Sequence, residues 1–127
     1  MKQSAVFVYG TLMREHDNYK RFLQHKKNVK FLGTAELKGY EMYHISNFPG
    51  IVPKKDASIR GEVFTVDSKT LKELDCLEGE GYMYQRVEEY VQLYDGKHIK
   101  AFVYVWLGST KGYHKVTKTP WKAEYHF

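Results

Sequence analysis

An α+β fold built on a mostly antiparallel sheet or a small barrel is predicted by three observations. Short runs rich in β-branched and aromatic residues recur along the chain, and such residues favour strands. Only two short segments carry an apolar stripe at helical spacing. The two kinds of element do not alternate in the strict β-α-β order of a parallel sheet, and no repeat period is present. At 127 residues the chain reads as one domain, 1–127, with a C-terminal tail at about 109–127.

The first element is a strand at residues 5–9, the apolar run AVFVY, which ends in the turn Gly10-Thr11. A short helix follows, with Asp17 or Asn18 as its cap and Tyr19, Phe22 and Leu23 at i, i+3 and i+4 on one face. Residues 29–44 hold two strands, FLGTAEL and YEMYHI, divided at Lys38-Gly39. Residues 46–50 form a loop by their turn-forming types. IRGEVFTV, at 59–66, is again a strand. Asp67 or Ser68 then caps a second helix, which runs to about Leu77 and is closed by Gly79. From Tyr84 to Leu93 the residues Val87, Glu89, Val91 and Leu93 alternate with Arg86, Glu88, Tyr90 and Gln92. Asp95-Gly96 is a hairpin signal, and residues 98–106 return as the partner strand.

Composition excludes several classes of function. With 43% hydrophobic and 16% aromatic residues, the chain has enough apolar surface to offset the entropy of ordering, so a compact globule is expected. Lys and Arg outnumber Asp and Glu by 20 to 15, a formal charge of +5. The nearest thing to a basic cluster is Lys111, His114, Lys115, Lys118 and Lys122, with Tyr113 and Trp121 interleaved. Such a tail reads as a solvated segment that docks its aromatic residues, and nucleic acid is not an expected partner. No apolar run approaches the roughly 20 residues that span a bilayer, and MKQSAVFVYG enters a strand pattern without leader features. Neither a membrane nor secretion is expected. A lone Cys76 forms no internal disulfide, which fits the cytoplasm. The expected state is a monomer or weak homodimer.

Two features carry chemistry. On the second helix Leu71, Leu74 and Leu77 mark the core-facing side, and at about 100° per residue Glu78 falls roughly 20° from Leu71. A carboxylate on an apolar stripe has a raised pKa, which suits general acid/base chemistry near neutral pH. Spacing alone leaves open whether Glu78 faces the core or frays to water before Gly79. Asp75 has the same ambiguity. The second feature is Tyr9-Gly10-Thr11-Leu12, a turn after a buried strand whose successive N–H groups can form an anion-binding nest or simply end the strand.

Taken together, VFVYGTL at 6–12 and LDCLEGEGYMYQRVEEYV at 74–91 resemble the γ-glutamylcyclotransferase-like superfamily, of the AIG2-like or γ-glutamylamine cyclotransferase type. Phe48-Pro49-Gly50-Ile51-Val52 and Arg60-Gly61-Glu62-Val63-Phe64 are similar to that family's intervening loop and strand, so the resemblance covers roughly residues 4–106. It implies a small, closed or partly closed, mostly antiparallel β-barrel with short helices packed on it and a cavity beside the first turn. The implied reaction is intramolecular: the substrate's α-amine attacks its own γ-carbonyl and releases 5-oxoproline and an amine or amino acid.

Carried onto this chain, the resemblance makes Glu78 the catalytic acid/base. The backbone of Tyr9, Gly10, Thr11 and Leu12 holds the substrate's α-carboxylate. Tyr84 and Tyr104 line the pocket, and Tyr82, on the same strand parity as Tyr84, is a candidate for its mouth. Arg86, two residues after Tyr84, pairs a neighbouring carboxylate. No metal or organic cofactor is implied, and oxyanion donors come from the turn's N–H groups or a tyrosine hydroxyl. Met13 departs from the arginine that many members carry directly after YGTL, and Arg14 stands one step on. Asn18 matches the family, whereas the stretch Glu80-Gly81-Tyr82-Met83 lacks a common proline.

Other chemistries find little support. His16, His25, His44, His98, His114 and His126 show no ligand spacing for a metal. Cys76 reads as a small buried hydrophobe within a helix, and no GxSxG elbow is present. The alternative of a different class is a non-catalytic module of the same fold that binds a small carboxylate.

Overall fold

The computed structural model describes residues 3–122. Residues 123–127 of the predicted tail, with His126, and the first two residues lie outside that range. In chain order the elements are β1 (Gln3–Val8), α1 (Asp17–Phe22), β2 (Lys30–His44), β3 (Pro49–Asp67), α2 (Ser68–Glu78), β4 (Tyr84–Leu93), β5 (His98–Trp106) and β6 (His114–Val116).

The sheet runs β3-β1-β5-β4-β2-β6, and β3 also pairs with β2. That extra pairing closes five strands into a barrel and leaves β6 as a short addition beside Met42–His44 of β2. Every pairing is antiparallel except β1 with β5, which meet in parallel at Val6 and Phe102. The predicted fold class is thus the observed one.

Val6, Phe7, Leu37, Met42, Ile51, Val63, Val91 and Val103 are fully or almost fully buried, and Leu74 brings α2 onto the same core. Gly61 marks the tightest backbone approach. A Cβ there would lie 2.3 Å from the Val8 carbonyl oxygen and 2.8 Å from the Phe7 ring, so only glycine lets β3 cross β1 at this point.

Several boundaries differ from the sequence prediction. The two strands expected at 29–44 are one strand, β2, because the Lys38-Gly39 signal is a bulge; register shifts between Lys38 and Tyr40, with Gly39 at φ 90°. The partner strand β3 begins at Pro49, ten residues before the predicted start at Ile59. Pro49–Pro53 pair with Tyr40–His44 of β2, with Ile51 buried, whereas Lys54, Lys55 and Asp56 are exposed and bulge out opposite Gly39, Asp56 at φ 66°. The predicted loop at 46–50 therefore shrinks to a tight turn in which the amides of Ile45 and Ser46 donate to the Phe48 carbonyl.

Position Ncap of α1 is His16, not Asp17 or Asn18, and no side chain caps it. Instead, Asn18 Nδ2 donates to Thr11 Oγ1 at 2.8 Å and ties α1 to the first turn. Within the tail, β6 and a fully buried Trp121 dock on the barrel; Trp121 Nε1 donates to His44 Nδ1 at 3.1 Å. Among the described residues no helix is long and apolar enough to cross a membrane.

Candidate active site

Helix α2 settles where Glu78 points. Asp67 caps its start by accepting from the Thr70 amide at 3.0 Å. At its end Gly79 adopts the left-handed conformation, φ 62° and ψ 49°, and returns its amide to the carbonyls of Asp75 and Cys76. Glu78 is consequently the last helical residue and does not fray. Its position on the leucine stripe aims the carboxyl into a cavity lined by Phe7, Val8, Tyr9, Gly10, Thr11, Leu12, Pro49, Tyr84 and Tyr104. The inner space is about 30 Å3, room for one water, inside a recess of about 340 Å3 when its open mouth is included.

Part of the Glu78 residue keeps contact with solvent, but burial of its carboxyl group pushes the pKa up to about 7. Among the described residues no hydrogen bond or ion pair holds that carboxyl. The opposite wall supplies complementary groups. Gly10 accepts from the Met13 amide at 3.0 Å, which folds the turn, while the amides of Gly10, Thr11 and Leu12 donate to no protein acceptor among the described residues. Three adjacent unspent N–H groups beside one cavity form a nest for an anion.

The tyrosines are differently committed. Tyr9 Oη donates to the Tyr104 carbonyl at 2.6 Å, Tyr84 Oη donates to the Pro49 carbonyl at 2.6 Å, and Tyr104 Oη donates to Asp75 Oδ1 at 2.7 Å. Burial raises the pKa of all three, and the nearby Glu78 charge raises them further, so each keeps its proton. Gly10 sits flat against Pro49, whose ring atoms would lie 2.7 Å and 2.8 Å from an added Cβ.

The six other predicted site residues, Tyr9, Gly10, Thr11, Leu12, Tyr84 and Tyr104, thus share one cavity with Glu78. Pro49, Phe7 and Val8 also line it; they fall within the FPGIV and VFVYGTL segments, but the sequence singled none of them out. Asp75 proves to be the carboxylate that Arg86 pairs with, Nη1 to Oδ2 at 2.7 Å, and the guanidinium lies 4.6 Å over the Phe102 ring. Tyr82 falls in the turn before β4 and is 84% exposed, so strand parity did not carry it to the pocket. Arg14 turns away, donating to Glu62 and covering Phe31 at 3.6 Å, while Met13 is buried. Cys76 is exposed, not buried: two residues after Leu74, it stands on the far face of α2.

Among the described residues no cluster of His, Cys, Asp and Glu is arranged to hold a metal. A second, larger recess, about 650 Å3, lies between the tail and the walls of β2, β3 and β4, near Arg60, Gln92 and Trp121, and shares no lining residue with the first.

Known proteins share the fold and a substantial part of the sequence. A family model described as "Gamma-glutamyl cyclotransferase, AIG2-like" matches residues 6–123. A Methanocaldococcus jannaschii protein described provisionally as a gamma-glutamylcyclotransferase is 40% identical over 100 residues, 78% of this chain and 81% of the relative. Mouse gamma-glutamylaminecyclotransferase is 33% identical over 112 residues, 78% of this chain and 75% of the relative. The crystal structure of a mouse AIG2-like protein superposes with a TM-score of 0.77 at 29% identity, covering 90% of this chain and 87% of that one. With the barrel, the YGTL turn and the buried glutamate already in place, the chain belongs to the AIG2-like gamma-glutamyl cyclotransferase family.

Proposed function

We propose that the protein is a γ-glutamyl cyclotransferase that releases 5-oxoproline and an amine or amino acid from a γ-glutamyl compound. The observation that carries this reading is the pairing, across one cavity, of an enclosed carboxyl without a partner and three unspent amides. The amides of Gly10, Thr11 and Leu12 take the substrate's α-carboxylate, which places the α-ammonium toward Glu78. Glu78 removes one proton, the amine forms the ring bond to the γ-carbon, and the C–N bond to the leaving group breaks as Glu78 returns that proton to its nitrogen; the ring nitrogen then loses its second proton to the re-ionised Glu78, which passes it to the departing amine. Nucleophile and electrophile belong to one molecule, so holding the chain in a ring-closing conformer supplies much of the acceleration.

The hydroxyls of Tyr9, Tyr84 and Tyr104 all donate to protein acceptors, so none of the three is free to donate to the oxyanion. This reading needs no metal or cofactor and assigns a cytoplasmic small-molecule role.

The test is 5-oxoproline release from γ-glutamyl-amino acids, γ-glutamyl-lysine isopeptides, simple γ-glutamylamines and glutathione. Wild type is expected to turn over at least one, and Glu78→Gln to lose about a hundredfold or more with its fold intact. Release that survives the substitution removes Glu78 from the mechanism. Binding without release would favour the non-catalytic carboxylate-binding module.

A further inference from the structure

The donor accounting of the pocket has a second side. A tyrosine hydroxyl holds one proton and two lone pairs. Tyr9 spends its proton on the Tyr104 carbonyl and also receives the Ile51 amide. Tyr84 spends its proton on Pro49. Tyr104 differs in giving its proton to a carboxylate, Asp75, and donation to a charged acceptor makes the donor oxygen a better acceptor in turn. Asp75 stands one turn before Glu78 on α2, and Arg86 from β4 holds its other oxygen, so one carboxylate clamps the glutamate's helix to the strand that carries Tyr104.

From this geometry we infer that Tyr104 is a substrate-binding residue acting solely as an acceptor, that its Oη receives an N–H of the substrate's α-ammonium opposite Glu78, and that Asp75 is the positioning residue that fixes it so. After Glu78 has taken one proton, the amine still donates an N–H to Tyr104 Oη, and its freed lone pair is turned toward the γ-carbonyl. The inference rests on the γ-glutamyl reading above but asks a separate question of the site. A Tyr104 hydroxyl serving the oxyanion would instead donate to the carbonyl oxygen, which every γ-amide ligand has.

Two ligands separate these roles: γ-glutamyl-butylamide and its des-amino analogue, the mono-butylamide of glutaric acid. Binding is measured by calorimetry in a Glu78→Gln background, so that the amine is not consumed. Tyr104→Phe, which keeps the ring and its packing, is expected to weaken the amine-bearing ligand about tenfold or more while moving the des-amino analogue less than about twofold. Asp75→Asn is expected to weaken the same ligand selectively and by less, because an amide oxygen still accepts from Tyr104 but carries no charge.

Equal weakening of both ligands, or no weakening of either, overturns the inference. Should Asp75→Asn lower the melting temperature sharply, the Tyr104→Phe comparison decides alone. If the parent binds neither ligand, the γ-glutamyl reading falls and this inference falls with it; if the parent binds both and Tyr104→Phe fails to discriminate, only the inference falls.

Discussion

Glu78 makes opposite demands on folding and on chemistry. Its carboxyl has an ordinary pKa of 4.5 in the unfolded chain and about 7 when folded. Below 4.5 both states hold the proton and burial costs nothing extra; between 4.5 and about 7 the cost grows as the folded state resists ionisation; above 7 it is complete, roughly 3 kcal/mol. Glu78→Gln is therefore expected to raise stability at pH 8 by roughly 1–3 kcal/mol over wild type and to change it little at pH 4, which paired urea titrations at the two pH values would show. In the proposed role the same group also sets the activity profile. As a base it works when ionised, so kcat/KM should fall about tenfold per pH unit below 7 and flatten above it; a profile flat from pH 5 to 8 would contradict the assigned role. Gly10 makes a sharper local demand. Gly10→Ala drives a methyl into the Pro49 ring and displaces the carbonyl that holds Tyr84, so it should cost about 1–3 kcal/mol and most of the activity, read by melting and by 5-oxoproline release.

Helix α2 shows how far an element can be read before it is seen. Its start at Asp67, its leucine stripe and its stop at Gly79 follow from local chemistry, since caps and periodicity act within a few residues. Asp67→Ala should cost about 1 kcal/mol by denaturant titration, and if the cap also fixes the helix axis, Glu78-dependent release should drop with it. The same local rules place β1, β4 and β5. They fail for the front half of β3, where Pro49–Pro53 are extended because β2 lies alongside, and for the division of β2, where Gly39, opposite the bulge at Lys54–Asp56, bends a strand that continues. The direction of Asp75 was equally hidden, because Arg86 and Tyr104 are 11 and 29 residues away and only the closed barrel brings them to it. Cys76 misleads for a simpler reason: its residue type favours burial, but its azimuth on α2 does not.

At the scale of the molecule the tail is part of the barrel's packing. Trp121 is fully buried, its ring stacked 5.8 Å from that of His44 and tilted against that of His16 at 5.2 Å, so it clasps the C-terminal segment to β2 and to the approach of α1. Trp121→Ala should cost about 3–5 kcal/mol in equilibrium unfolding, a large part of what a domain of this size commands; a loss under about 1 kcal/mol would show that the barrel ignores its tail. Besides the β3–β2 pairing, the ring needs its one parallel join, Val6 against Phe102, between strands far apart in the chain. The ribosome makes β1 early, yet β1 gains its second neighbour only once β5 exists. Until then the turn that follows β1 has no far wall, since Tyr104 arrives with β5. A nascent chain can thus carry Glu78 and the YGTL turn complete and still have an unfinished pocket until β5 has joined the sheet.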